Sequence, residues 1–237
     1  MLKIAIIGTG FGQYGLFPAF RSVKNCEVVA ICGAKRKQLV DYCQSIGFKN
    51  IYSDWRLLLK NENLDAVAIA VPPRVQCRIA RTAIRMGLHV FAEKPLAVNV
   101  PQARELFFLA RKNKITNGID FIFPEIAEWK KVKVLIDRGA FGKLKHISVN
   151  WDFLSHDIKN KKSTWKTSVA EGGGALSYYF SHGLYYLEHF AGRISVVKSL
   201  FTHSKESING AEVGVDMLLK FRSGVTGYAH INCGARG

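Results

Sequence analysis

The start of the chain restricts the fold most. Lys3–Ile7 reads as a short strand that runs straight into Gly8-Thr9-Gly10-Phe11-Gly12-Gln13, with a helix expected to about Val23. Gly8 permits a tight turn, and Gly10 lets a pyrophosphate approach the backbone. The helix N-terminus behind them offers N–H donors and the positive end of its dipole. In the usual spacing the third glycine falls at position 13, where Gln13 stands; Gly12 comes one residue early.

Strands then alternate with helices. Further strands are expected at Glu27–Cys32, Asn50–Tyr52, Ala66–Val71, Leu88–Phe91 and Lys114–Asp120, with helices at Lys35–Ile46, Trp55–Lys60, Arg74–Met86 and Pro101–Lys112. That alternation predicts βαβ units and a doubly wound parallel sheet, a Rossmann domain over residues 1–120. After Phe121 the character changes. A helix Pro124–Asp137 leads into long alternating runs at Leu144–Phe153, Ser195–His203, Val213–Phe221 and Val225–Cys233, with Ser223-Gly224 as a hairpin signal. These predict a second α+β domain over 121–237, an open and mainly antiparallel sheet interrupted by one helix, Ala175–Ala191. The whole is an α/β protein.

Ligands of doubly wound sheets sit outside the carboxyl ends of the strands. Leu88–Phe91 lacks charge, as a strand buried on both faces should, and it ends at Ala92-Glu93-Lys94-Pro95. Lys94 is therefore expected at a ligand crevice, its backbone kept out of the helical region by Pro95. The second strand ends where an acid would hold the ribose 2′-hydroxyl of NAD. The residues here are Gly33-Ala34-Lys35-Arg36-Lys37. A glycine beside cations accommodates a 2′-phosphate, which favours NADP while leaving NAD possible.

On the helix Ala175–Ala191, Leu176, Phe180, Leu184, Leu187 and Ala191 form an apolar stripe at 3.6-residue spacing. Tyr178, His182, Tyr185 and His189 fall on roughly the opposite side. Gly172-Gly173-Gly174 before it brings the backbone close to some other group.

Composition removes several classes. The 237 residues, 48% hydrophobic, suffice for a real core, and no apolar run is long enough to span a bilayer or act as a signal peptide. Five cysteines without CxxC spacing fit reduced thiols in a cytoplasm and no metal site. The net charge of +16 is not organised with aromatics as a nucleic-acid platform, and a basic surface with an anionic small ligand is the simpler expectation.

Taken together these residues resemble the Gfo/Idh/MocA family, the glucose–fructose oxidoreductases and inositol dehydrogenases. The resemblance rests on Gly8-Thr9-Gly10-Phe11-Gly12, Ala70-Val71-Pro72-Pro73, Glu93-Lys94-Pro95-Leu96-Ala97, Trp165-Lys166, Gly172-Gly173-Gly174-Ala175-Leu176 and His182. It implies NAD(P)-linked hydride transfer on a sugar, polyol or nucleotide sugar. The motif residues Gly8, Gly10, Phe11, Gly12, Gln13, Val71, Pro72, Pro73, Glu93 and Lys94 would serve the cofactor, with Gly33, Lys35 and Arg36 at the ribose and Trp165 and Lys166 at the nicotinamide end. Lys94 would stabilise charge on the reacting oxygen, His182 would be the acid/base, and Tyr178 would assist it. The resemblance also implies a cis Lys94–Pro95 peptide and homo-oligomers formed through the second sheet. Relatives carry Asp where Tyr178 and Tyr185 stand, and they run on past the position of Gly237, so the strand Val225–Cys233 is expected to have an unpaired edge. A catalytically silent NADP-binding regulatory protein and a nucleic-acid binder are the alternatives from other classes.

Overall fold

The computed structural model describes residues 1–34, 37–204 and 209–235, and the chain divides into two compact units, Met1–Asp120 and Phe121–Gly237. The first unit holds a six-stranded sheet of β1 (Leu2–Ile7), β2 (Cys26–Cys32), β3 (Ile51–Tyr52), β4 (Ala66–Ile69), β5 (His89–Ala92) and β6 (Asn117–Ile119). Their order is β3-β2-β1-β4-β5-β6, and every pairing is parallel. The alternation of side chains decides which face each residue covers. Ile4 and Ile6 of β1 pack with Leu16, Phe17, Leu39 and Cys43 on one face, while Ala5 and Ile7 pack with Leu58, Ile79, Ala83 and Leu106 on the other.

The covering helices are α1 (Phe17–Ser22), α2 (Lys37–Ser45), α3 (Trp55–Asn61), α4 (Pro73–Arg85) and α5 (Val100–Lys112). Local chemistry starts them where the sequence requires. The Asp54 side chain accepts from the Arg56 amide at the start of α3, and Asn99 accepts from Gln102 at the start of α5. Each such cap contributes about 1 kcal/mol. The edge strand β6 is shorter than the expected Lys114–Asp120, because Lys114 takes a positive φ in the turn that ends α5.

The second unit builds a four-stranded sheet from β7 (His146–Asp152), β8 (Ile194–Thr202), β9 (Gly214–Phe221) and β10 (Thr226–Asn232), in the order β7-β10-β9-β8. The β9–β10 and β8–β9 pairs are antiparallel, whereas β10 runs parallel to β7. The expectation of an unpaired edge on the last strand is therefore wrong. β10 is bonded on both sides, and β7 and β8 are the edges, because β7 returns from far along the chain to cover β10. Helices α6 (Ala127–Asp137), α7 (His156–Lys159) and α8 (Ser181–Ala191) complete the unit.

One face of this sheet carries the second core, with Val215, Met217, Leu219, Phe221, Ala229 and Ile231 packed against Phe180 and Leu187. The other face carries Asp152, Asp216, Tyr228 and His230, joined by hydrogen bonds. His230 meets Asp216 through Nδ1 and Asp152 through Nε2, each at 2.8 Å, and the Tyr228 hydroxyl donates to Asp216 at 2.6 Å.

Candidate functional site in two units

At the glycine turn, Gly8 has φ 130°, and a Cβ there would run into the carbonyl of Ala70. Its amide donates to the Cys32 carbonyl at 2.8 Å, so the turn is pinned to the neighbouring strand. A Cβ at Gly10 would meet nothing within 4 Å. That open cradle, at the start of a helix, fits a pyrophosphate. Gly12 takes the packing role expected at position 13: its Cβ would stand 3.4 Å from Ile6 Cγ2 and 3.6 Å from Ala70 Cβ. The helix opens there as a wide π turn, Gly12–Leu16, before tightening into α1. Phe11 meets Tyr14 edge-to-face, ring centroids 5.4 Å apart, and Gln13 is half-buried with its amide on the Gly10 carbonyl.

Gly33 follows β2, where a ribose-binding acid would stand. Any side chain there would collide with the methyl of Thr9, so position 33 accepts a Cβ only if Thr9 turns away. Lys35 and Arg36 lie outside the described residues. Val71 and Pro72 follow β4, and Pro73 opens α4, where its missing N–H costs nothing.

Lys94 lies just past the carboxyl end of β5, in the turn Glu93-Lys94-Pro95-Leu96, and its peptide with Pro95 is cis. Two features hold this turn. The Glu93 amide donates to the Ile69 carbonyl at 2.8 Å. From α4 the buried Gln76 sends its Nε2 to the carbonyls of Glu93, Pro95 and Leu96, at 2.5, 3.0 and 3.4 Å. Asp120 stands one residue beyond the Ala92–Ile119 pairing and donates its amide to Ala92 at 2.9 Å, which sets it beside Glu93. Burial, then the charge of Asp120 and a hydrogen bond with it, push the Glu93 carboxyl up to about 7. Lys94 acts in the opposite direction on Glu93 without offsetting them. Gln76 and Asp120 escape a sequence reading, because only the fold brings them to the lysine turn.

In the second unit, Trp165–Thr167 forms a tight turn with Thr164 and Thr167 capping each other. The Trp165 ring meets Tyr178 edge-to-face at 5.0 Å, and the Lys166 ammonium sits 4.7 Å from the centre of the Tyr178 ring. Contacts of these kinds contribute about 0.5–1.5 kcal/mol each. Buried Asp157 accepts from the Thr164 hydroxyl at 2.6 Å. Burial alone would raise its pKa, but the Thr164 bond and the nearby charges of Lys166 and His156 outweigh that and hold it below the ordinary carboxylate range.

The helix at 175–191 is not uniform. Ala175–Phe180 winds as a π turn, and α8 follows. The expected stripe survives, with Phe180, Leu187 and Ala191 buried, but Tyr179 and Tyr186 also pack on that core. A wide turn advances less than 100° per residue and widens the buried face. His182 is half-buried and edge-on to Phe121 and Phe123, at 5.8 and 5.1 Å, while Tyr185 stacks on Phe121 at 4.3 Å. The close approach at the glycines is made by the chain itself. A Cβ at Gly173 would strike the Trp165 and Lys166 carbonyls, and one at Gly174 would strike the Glu212 carboxylate. Glu212 also accepts from the Leu176 amide at 3.0 Å, so this helix start already holds an anion. Tyr178 and His182 thus share one helix face with Trp165 and Lys166 close by, and Lys94 belongs to the other unit. No group of three or more His, Cys, Asp or Glu suited to a metal occurs among the described residues, and none of their helices is long and apolar enough to cross a membrane.

Comparison with known proteins agrees with both units. Residues 2–121 match the family model of an oxidoreductase family with an NAD-binding Rossmann fold, and residues 129–237 match that of the GFO/IDH/MocA C-terminal domain. An uncharacterised oxidoreductase of Synechocystis sp. is 34% identical over 191 residues, 81% of this chain and 52% of that protein. A dTDP-3,4-didehydro-2,6-dideoxy-alpha-D-glucose 3-reductase of Actinomadura kijaniata is 26% identical over 230 residues, 95% of this chain and 66% of that protein. The chain thus spans about half to two thirds of the length of these relatives. Among solved structures, an NAD-binding oxidoreductase from Klebsiella pneumoniae superimposes with a TM-score of 0.88 at 26% identity, covering 100% of this chain and 68% of that one. With a Rossmann sheet, a glycine cradle and a second mixed sheet each in place, the chain belongs to the Gfo/Idh/MocA family of NAD(P)-binding oxidoreductases.

Proposed function

We propose that this chain handles cofactor and substrate in an NADP-preferring oxidoreductase that interconverts a hydroxyl and a carbonyl carbon of a sugar, polyol or nucleotide sugar. The observation that carries the proposal is Lys94, at a strand's carboxyl end in a turn held through three backbone carbonyls. The nicotinamide, when bound, supplies or accepts a hydride at its C4. Gly8, Gly10 and Gly12 shape the pyrophosphate cradle, and Val71, Pro72 and Pro73 flank it. Gly33 without an acid favours the 2′-phosphate of NADP over a free ribose hydroxyl.

Lys94 donates a hydrogen bond to the reacting oxygen and stabilises the negative charge that grows there. His182 takes or returns the hydroxyl proton, since an imidazole titrates in the neutral range. Tyr178, one turn earlier, orients that imidazole or holds substrate, and Trp165 and Lys166 border the nicotinamide end. We assign the second sheet to oligomer formation and the protein to the cytoplasm.

A panel decides the matter. NADPH oxidation is followed with a dTDP-3-keto sugar, and NADP reduction with D-glucose, myo-inositol and levoglucosan. Turnover of at least one substrate above the no-enzyme rate is expected, faster with the phosphorylated cofactor. Tight NADPH binding with no turnover on any of them would instead identify a silent cofactor-binding protein.

A further inference from the structure

Gln76 lies on the inner side of α4 and is 1% exposed, the most deeply buried of the three buried polar residues among the described residues. Its Nε2 faces the carbonyls of Glu93, Pro95 and Leu96. Two of these flank Lys94 directly, so one side chain grips the backbone on both sides of the lysine. Its own Oε1 is buried and has no hydrogen-bond partner among the described residues. An amide kept only to fill space would be better replaced by an apolar side chain, since it leaves one acceptor dry. The donor end explains its presence, because its two N–H groups serve the carbonyls of Glu93 and Pro95, with Leu96 sharing them at 3.4 Å.

We propose that Gln76 is a positioning residue for Lys94: by fixing the peptide units before and after it, Gln76 sets where the lysine side chain leaves the backbone. A clamped backbone lowers the entropic cost of holding the lysine against an oxygen. The proposal rests on the assignment of Lys94 to the reacting oxygen, but it can be tested without that assignment.

The test uses Gln76→Met, which keeps length and volume and removes the donor, and Gln76→Glu, which keeps the shape and donates only when protonated. Each folded variant is labelled with trace acetic anhydride, and acetylation is read lysine by lysine by peptide mass spectrometry. Loss of the clamp should raise the labelling rate of Lys94 about threefold or more, while Lys3 and Lys60 of the same unit keep theirs, because reactivity follows local environment. With a sugar that turns over, kcat of Gln76→Met should fall about tenfold with the NADPH Kd within about twofold. Gln76→Glu should recover turnover as pH falls and its carboxyl regains the donor. If Gln76→Met unfolds, Gln76→Glu carries the labelling comparison at alkaline pH. A Lys94 labelling rate unchanged in the folded variants overturns the proposal, whatever happens to turnover. Full activity in Lys94→Ala would overturn the role of Lys94 and leave the labelling result to decide Gln76.

Discussion

Glu93 and Asp120 stand side by side just past the ends of two neighbouring parallel strands, and burial, followed by the charge of Asp120 and a hydrogen bond with it, pushes the Glu93 carboxyl up to about 7. Its folded pKa lies above the 4.5 of an unperturbed glutamate. Between those values the folded chain binds more protons than the unfolded one. Stability from this group is therefore complete below 4.5 and is lost as pH rises through about 7. Asp120→Asn removes the neighbouring charge, so the Glu93 carboxyl should titrate lower in a carbon-13 NMR experiment and the loss of stability on raising pH should shrink. A Glu93 titration unmoved by Asp120→Asn contradicts the coupling.

Lys94→Ala tests the reacting-oxygen role. Turnover should fall by about three orders of magnitude or more, close to 4 kcal/mol of transition-state stabilisation, with NADPH affinity nearly intact. Loss of cofactor binding in step with turnover would make Lys94 a cofactor ligand instead.

His182 and Tyr178 compete for the proton. His182→Asn should abolish the limb of the pH–rate profile near the imidazole range while leaving the fold and cofactor affinity unchanged. Tyr178→Phe removes only the hydroxyl and keeps the ring that packs on Trp165 and Lys166, so turnover should drop by less. The opposite ranking would move the acid/base role to Tyr178.

The proposed preference for NADP is tested at Gly33 and at Thr9, which a Cβ at position 33 would meet. NADPH should bind at least about tenfold more tightly than NADH, or about 1.4 kcal/mol. Gly33→Asp alone should weaken both, because its Cβ meets the Thr9 methyl. Adding Thr9→Ala should make room for the acid and shift preference toward NADH. Equal Kd values in the unaltered chain count against the NADP assignment.

On the polar face of the second sheet, burial alone would lower the pKa of His230, but its hydrogen bonds to Asp216 and Asp152 outweigh that and raise it. The stability that His230 contributes is present below the ordinary histidine range and is lost as pH rises through its raised folded value. Asp216→Asn should lower the His230 titration in proton NMR. An unchanged titration would leave the hydrogen bonds without electrostatic weight.

Much of this protein is local and therefore written in the sequence. Alternation of apolar strands with helices specifies a parallel sheet, because both faces of each strand must be covered by the helices between them. The glycines at 8, 10 and 12 declare a turn with an open cradle, and the strand end at Lys94 needs only the rule that ligands gather at carboxyl ends. Other features depend on residues far apart in the chain. The parallel return of β7 onto β10 is set by sheet pairing, which no local signal records. Gln76 meets the lysine turn only because α4 packs beside β5, and Asp120 meets Glu93 only because β6 falls in register with it. The glycines before Ala175 announce a close approach but not its partner, which is Glu212, 36 residues from Leu176. In each case a polar group acquires its role from burial and a distant neighbour, and those two quantities exist only once the chain has folded.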